Sequence, residues 1–153
     1  MPIARSPSSS DPHRPTRPTA ARVATTGGRV RSGHRRGRLL GFPTANLTRP
    51  RRDLPDGVYA AWVGIDGELP ARPALASLGP SPTFGVRTRR LEIHLIDFDG
   101  DLYGRRLRVA FRARLAGQRR CASATELALR IATLVERARR TLASERVAAR
   151  GSR

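Results

Sequence analysis

Arg106-Leu107-Arg108-Val109-Ala110-Phe111-Arg112-Ala113-Arg114-Leu115 places Leu107, Val109, Phe111, Ala113 and Leu115 at every second position. Successive side chains on a strand point to opposite faces, so this spacing puts one face in a core and the other in water. Upstream, Leu91, Ile93 and Leu95 alternate with Glu92 and His94, which predicts a second half-buried strand. Gly57-Val58-Tyr59-Ala60-Ala61-Trp62-Val63-Gly64-Ile65 is rich in β-branched and aromatic residues and predicts a third. Asp66-Gly67 then reads as a hairpin turn. Leu69 to Leu78 is interrupted by Pro70 and Pro73, which marks it as an edge strand or one that begins late. Gly79-Pro80-Ser81-Pro82-Thr83-Phe84-Gly85 reads as a rigid loop carrying one exposed aromatic, and Asp97 to Gly104 as a turn-rich connection.

Beyond these segments the period changes. Ser123 followed by Glu126 forms an S-x-x-E capping box, and Leu127, Ile131, Leu134, Val135, Ala138 and Leu142 continue it as a helical apolar stripe. Past Leu142 the chain turns polar, and residues 144–153 are expected to fray. Strands first and one long helix last predict a small antiparallel barrel or sandwich closed by a helix.

The N-terminal end has no such periodicity. Residues 1–26 are Ser-, Pro- and Arg-rich with hardly an acid, and are expected to form a disordered extension rather than a secretory signal. A short strand is expected at Arg29–Arg31 and extended chain from Thr44 to Leu47, with the ordered domain spanning 27–143. The 153 residues carry a net charge of +18, and all 30 basic residues are arginine. Such a balance suits polyanions, but the arginines are spread through tails, strands and helix, so nucleic acid is not the expected partner. One cysteine, Cys121, forbids an internal disulfide and fits a reducing, cytoplasmic setting. No apolar run approaches the ~20 residues of a membrane span, and a monomer is expected.

Chemistry concentrates in Gly33-His34-Arg35-Arg36-Gly37-Arg38-Leu39-Leu40-Gly41-Phe42-Pro43-Thr44-Ala45-Asn46-Leu47. Glycines let a backbone approach a bulky anion, and arginines supply forked donors for phosphate oxygens. Thr44 and Asn46 are two apart, so in extended chain their oxygens share a side, and both are hard ligands of the kind Mg²⁺ accepts. Pro43 stiffens the approach to them. No Gly-Lys-Ser/Thr follows, so this is not a Walker loop. Glu92 lies opposite the apolar face of its strand. A phosphoryl transfer to an alcohol needs one carboxylate to orient the hydroxyl and accept its proton, and Glu92 is the candidate. Asp97, Asp99 and Asp101 alternate, but the run lacks the remaining ligands of a calcium loop and its glycine lies between Asp99 and Asp101, so they read as turn residues. His13, His34 and His94 with one cysteine make no zinc pattern.

Arg36-Gly37-Arg38-Leu39-Leu40-Gly41-Phe42-Pro43-Thr44-Ala45-Asn46-Leu47 resembles the signature of riboflavin kinases (flavokinases), whose hallmark is Pro-Thr-Ala-Asn. Leu54-Pro55-Asp56-Gly57-Val58-Tyr59, Ser81-Pro82-Thr83-Phe84-Gly85, and Leu91-Glu92-Ile93-His94-Leu95 continuing through Asp97 to Gly104 match in the same order. The resemblance runs from about Gly28 to Leu142. It implies a mainly β fold, a six-stranded antiparallel Greek-key barrel closed by a C-terminal α-helix. It also implies ATP-dependent phosphorylation of the ribityl 5′-hydroxyl of riboflavin to FMN, assisted by Mg²⁺, with Glu92 as catalytic base. By the same resemblance Thr44 and Asn46 would bind Mg²⁺, while Gly33, Arg38, Gly41, Pro43, Thr44 and Tyr103 would border ATP. Arg119 and Cys121 would border the flavin.

The match departs from the family on the flavin side. Ser81 stands where an asparagine is frequent, Ala116 where a basic residue is, and Cys121 and Ala122 where an aromatic and an acid are. No His-x-Gly-His nucleotidyl-transfer motif is present, so FAD synthesis is not expected. Two other functions fit the residues: a non-catalytic flavin- or nucleotide-binding module, and, ranked last, an arginine-rich nucleic-acid-binding protein.

Overall fold

Alternating segments with one apolar face each leave that face exposed unless the sheet closes on itself, and here it does. The computed structural model describes residues 23–33, 36–48 and 50–152, so most of the expected N-terminal extension lies outside the described residues. The elements are β1 (Thr25–Arg31), α1 (Arg36–Leu39), β2 (Ala45–Leu47), β3 (Gly57–Ile65), β4 (Arg72–Ser81), β5 (Val86–Leu95), β6 (Arg106–Ala116) and α2 (Ala124–Gly151). The strands form a closed six-stranded barrel in the order β1-β2-β5-β4-β3-β6, every pair antiparallel. The sequence β3-β4-β5 followed by β6 returning beside β3 is a Greek key.

Inside the barrel, Leu78, Leu91, Ile93, Leu107, Val63 and Val109 are fully buried. Tyr59 and Phe111 meet edge to face at 5.4 Å, and the Tyr59 hydroxyl donates to the Pro55 carbonyl at 2.6 Å. A second apolar cluster lies outside the barrel, where α2 lays Leu134, Val135, Ala138 and Leu142 on Val58, Ala60, Leu75 and Ile96. Strand β3 is therefore apolar on both faces, since one faces the barrel and the other the helix. Each fully buried Leu or Val contributes about 1.5–3 kcal/mol, so this stripe docks the helix rather than helix propensity alone. The capping box starts it: Ser123 Oγ accepts from Glu126 N at 3.1 Å, and Glu126 Oε2 accepts from Ala122 N at 2.7 Å.

The hairpin turn is as expected. Asp66 (φ 49°) and Gly67 (φ 79°) are both left-handed, and Glu68 N donates to Ile65 O at 2.8 Å. Strand β4 begins late, at Arg72, and is no edge strand, being paired to β3 and β5. Its Pro73 is tolerated near the strand start, where its carbonyl still accepts from Ile96 N at 2.9 Å.

Three boundaries differ from expectation. Strand β1 begins at Thr25, so Thr25 and Thr26 do not belong to the extension; β6 reaches far enough to pair with them at Ala110 and Val109. The expected loop 79–85 is strand as far as Ser81 and then a single 3₁₀ turn, Pro82–Phe84, closed by left-handed Gly85. The helix does not fray after Leu142 but continues to Gly151. Long-range contacts hold its last turns: Arg112 pairs with Glu145 at 2.8 Å, and the Arg146 guanidinium stacks over Trp62 at 4.4 Å.

Candidate active site

Strand β2 is only three residues long, yet it pairs on both sides, with β1 and β5. The β2–β5 register sets Asn46 directly opposite Glu92, and the β4–β5 register sets Ser77 on the other side of Glu92. With Ala45, Leu47, Leu91 and Ile93 turned into the barrel, Asn46 and Glu92 both face outward. The residues expected to carry the chemistry, 46 positions apart in sequence, are thus cross-strand neighbours.

Two cavities flank this pair. One is a cleft of about 140 Å³ between the outer face of β4 and β5, the 3₁₀ turn and the first turns of α2. Thr44, Asn46, Ser77 and Glu92 line one wall, and Phe84, Leu127, Ile131 and Leu134 make an apolar opposite side. Arg90, Arg119 and Arg130 add positive charge to it. Arg119 is pinned by Glu126 at 2.9 Å, and Arg130 donates to the Gly117 carbonyl at 2.7 Å. The other cavity is a groove of about 860 Å³ lined by Arg31, Gly33, Arg38, Pro43, Thr44 and, across from them, Phe98 to Tyr103. Thr44 belongs to both.

The expected site residues therefore sort cleanly. Gly33, Arg38, Pro43, Thr44 and Tyr103 line the groove; Thr44, Asn46, Glu92 and Arg119 line the cleft. Gly41 and Cys121 line neither. Gly41 (φ 83°) closes α1, its N–H donating to Arg38 O at 3.2 Å. Cys121 is buried, and its N–H donates to Thr83 Oγ1 at 3.0 Å, so it supports the 3₁₀ turn from behind.

Gly33 and Asn46 are packed so closely that a Cβ on Gly33 would lie 1.9 Å from Asn46 Nδ2. The amide is held there with its Oδ1 buried and accepting no hydrogen bond from the described residues. Leaving a buried carbonyl oxygen unsatisfied costs about 1–3 kcal/mol, so the atom suits a bound electropositive group. Asn46 Oδ1 and Thr44 Oγ1 are hard oxygens, and no cluster of three His, Cys, Asp or Glu occurs among the described residues, so a divalent ion here would be held by neutral oxygens plus ligand phosphates. The residues fit Mg²⁺ in that role.

Asp97 and Asp101, which read as turn residues, serve as such. Asp97 (φ 54°) takes a two-pronged ion pair from Arg139, and that guanidinium holds its carboxyl below the usual carboxylate range. Asp101 Oδ1 accepts from Tyr103 N at 2.9 Å, shaping the groove wall.

Residues that the sequence reading did not assign also enter the site. His94 lines the cleft, its Nδ1 lies 2.9 Å from the Pro43 carbonyl, and its ring meets Phe42 edge-on at 5.5 Å. Gln118 spans from the cleft to Ser77 Oγ and the Leu78 carbonyl, both at 3.1 Å. His94 and Arg90 were findable, since they flank Glu92 at two-residue spacing on one strand face. Gln118, Arg130 and the helix residues carry no such local signal.

The flavokinase family model, described as riboflavin kinase, matches residues 20–142. The chain belongs to the riboflavin kinase family. It is 47% identical over 98 residues to a bifunctional riboflavin kinase/FMN adenylyltransferase of Pseudomonas fluorescens, covering 63% of this chain and 31% of that protein. It is 43% identical over 106 residues to the protein of the same description from Escherichia coli K12, covering 69% of this chain and 34% of that one. The chain thus spans about a third of the length of these relatives. Among solved structures, a crystal structure of a macrolide-efflux protein from Streptococcus pneumoniae superposes with a TM-score of 0.66 at 33% identity, over 76% of this chain and 38% of that one. Among the described residues no helix is long and apolar enough to cross a membrane.

Proposed function

We propose that the chain transfers the γ-phosphoryl group of ATP to the ribityl 5′-hydroxyl of riboflavin, giving FMN and ADP. The observation that carries this reading is the Asn46–Glu92 cross-strand pair beside Thr44, the residue common to both cavities. The groove, with Gly33, Arg31 and Arg38, suits a nucleotide and its phosphates; the cleft, with its apolar side and Glu92, suits a flat ring system carrying a hydroxylated chain. Thr44 and Asn46 would hold Mg²⁺, which when bound supplies charge compensation to the phosphates.

In this reading Glu92 accepts the hydroxyl proton as the substrate oxygen bonds to the γ-phosphorus and the bond to the β,γ-bridging oxygen breaks, releasing ADP. Such transfer needs alignment and charge compensation more than covalent help, and both cavities are built on paired strands that supply alignment. Membership of the riboflavin kinase family supports the substrate assignment. We further take the protein to act as a cytoplasmic monomer: its one cysteine is buried, and Leu129 and Val147, exposed on α2, stand near opposite ends of the helix.

Incubation with riboflavin and Mg·ATP followed by chromatography tests the reading, with FMN and ADP expected in equal amounts. Absence of FMN across several nucleotides and divalent metals overturns it. Quenching of flavin fluorescence without ATP consumption would instead identify a non-catalytic flavin-binding module.

A further inference from the structure

We propose that His94 is a positioning residue that fixes the spacing between Glu92 and Thr44, and so between the two halves of the site. This rests on the kinase reading above and refines it.

The ladder between β2 and β5 ends at Ala45↔Ile93. Phe42, Pro43 and Thr44, immediately before it, have no strand pairing, although Thr44 carries one of the proposed metal ligands. His94 continues the attachment by side chain where the backbone ladder stops. The Pro43 carbonyl can only accept, so the 2.9 Å contact requires the proton on Nδ1. The same imidazole meets the Phe42 ring at an interplanar angle of 79°. From the other side, Phe42 N donates to Gly37 O at 2.8 Å, and a Cβ on Gly37 would lie 2.3 Å from the Phe42 carbonyl. The strap is clasped between α1 and His94.

The consequence is geometric. The Pro43 ring fixes its φ, and the hydrogen bond on its carbonyl fixes the plane of the Pro43–Thr44 peptide. With Ala45 held in the ladder on the other side, those constraints limit the directions open to the Thr44 side chain. His94 stands two residues from Glu92 on the same strand face, about 6.6–6.8 Å along a rigid strand. One strand thereby carries the proposed base and grips the segment bearing the proposed ligand. A salt bridge could not serve as well here, because the partner is a proline carbonyl with no charge to pair.

The test compares His94→Ala, His94→Asn and His94→Gln. The Asn amide nitrogen reaches about where Nδ1 sits, whereas the Gln nitrogen reaches about where Nε2 sits. We expect kcat/KM for FMN formation to fall on the order of 10²-fold in the Ala and Gln variants, as for a catalytic group misplaced by about 1 Å, with Asn restoring most of it. The melting temperature of the ligand-free protein should not follow that order. Equal losses in all three variants, or losses that track melting temperature, overturn the proposal. A second readout does not need turnover: calorimetric ADP affinity with and without magnesium. The magnesium enhancement should shrink in the Ala and Gln variants and return in Asn. If it is the same in all variants, or absent from the unmodified chain, the proposal falls, whether or not FMN is formed. If it follows the expected order while the unmodified chain forms no FMN, the kinase reading fails and the His94 tie stands.

Discussion

Asn46 and Gly33 pack as one unit, with no room between them for even a methyl group. A Cβ at position 33 would overlap the Asn46 amide nitrogen at 1.9 Å, and the amide must then swing away. Gly33→Ala should leave the barrel folded, since neither residue belongs to the core, while abolishing the magnesium enhancement of ADP binding. Circular dichroism together with calorimetry checks both parts. Glu92 makes the complementary case. Glu92→Gln keeps the size and polarity of the side chain but removes the proton acceptor, so turnover should fall by about 10²–10⁴-fold with little change in the KM of either substrate. Steady-state kinetics of FMN formation reads this directly; an unaltered kcat would remove Glu92 from the role of base.

At the scale of elements, an ion pair joins the apolar packing of Ile96 in tying the end of β5 to α2. Asp97, just past the end of β5, receives two hydrogen bonds from Arg139 on α2, and Arg139 also pairs with Glu136 at 3.0 Å. The Arg139 hydrogen bonds, foremost, and its charge depress the Asp97 pKa below the ordinary 3.8. A folded pKa below the unfolded one stabilises the fold above the unfolded value, and this contribution is lost as pH falls through the folded value. Asp97→Asn tolerates the left-handed backbone but carries no charge. The variant should therefore melt below the parent at neutral pH and converge with it in acid, which melting curves from about pH 7 down to about pH 2 would display. A constant difference across that range would exclude the ion pair as the cause.

For the whole molecule, stability resides in a barrel interior that every strand fills. Leu91 is fully buried there, one residue from Glu92 and paired to Leu47 and Leu78. Leu91→Ala should cost about 2–5 kcal/mol, measured by denaturant unfolding with unchanged m-value. Because Leu91 and Glu92 share a backbone, the variant should lose activity as well, in contrast to Glu92→Gln, which should lose activity alone.

The alternation around Leu107–Leu115 and Leu91–Leu95, the Asp66-Gly67 turn and the Ser123/Glu126 cap were determined by sequence alone. Each depends on neighbours within a few residues, whose spacing dictates which side chains share a face. Tertiary structure decided the rest. Neither the identity nor the period of Thr25 and Thr26 explains why β1 starts at Thr25; only β6 lying alongside, at Ala110 and Val109, does. Polar composition after Leu142 suggests fraying, but Trp62 and Arg112 on distant strands hold the helix to Gly151. The resemblance implied that Cys121 borders the flavin, yet the chain buries it behind the 3₁₀ turn. Asn46 opposite Glu92, and His94 on the Pro43 carbonyl, arise from strand register, which is fixed by the closure of the whole barrel and is invisible to any local window.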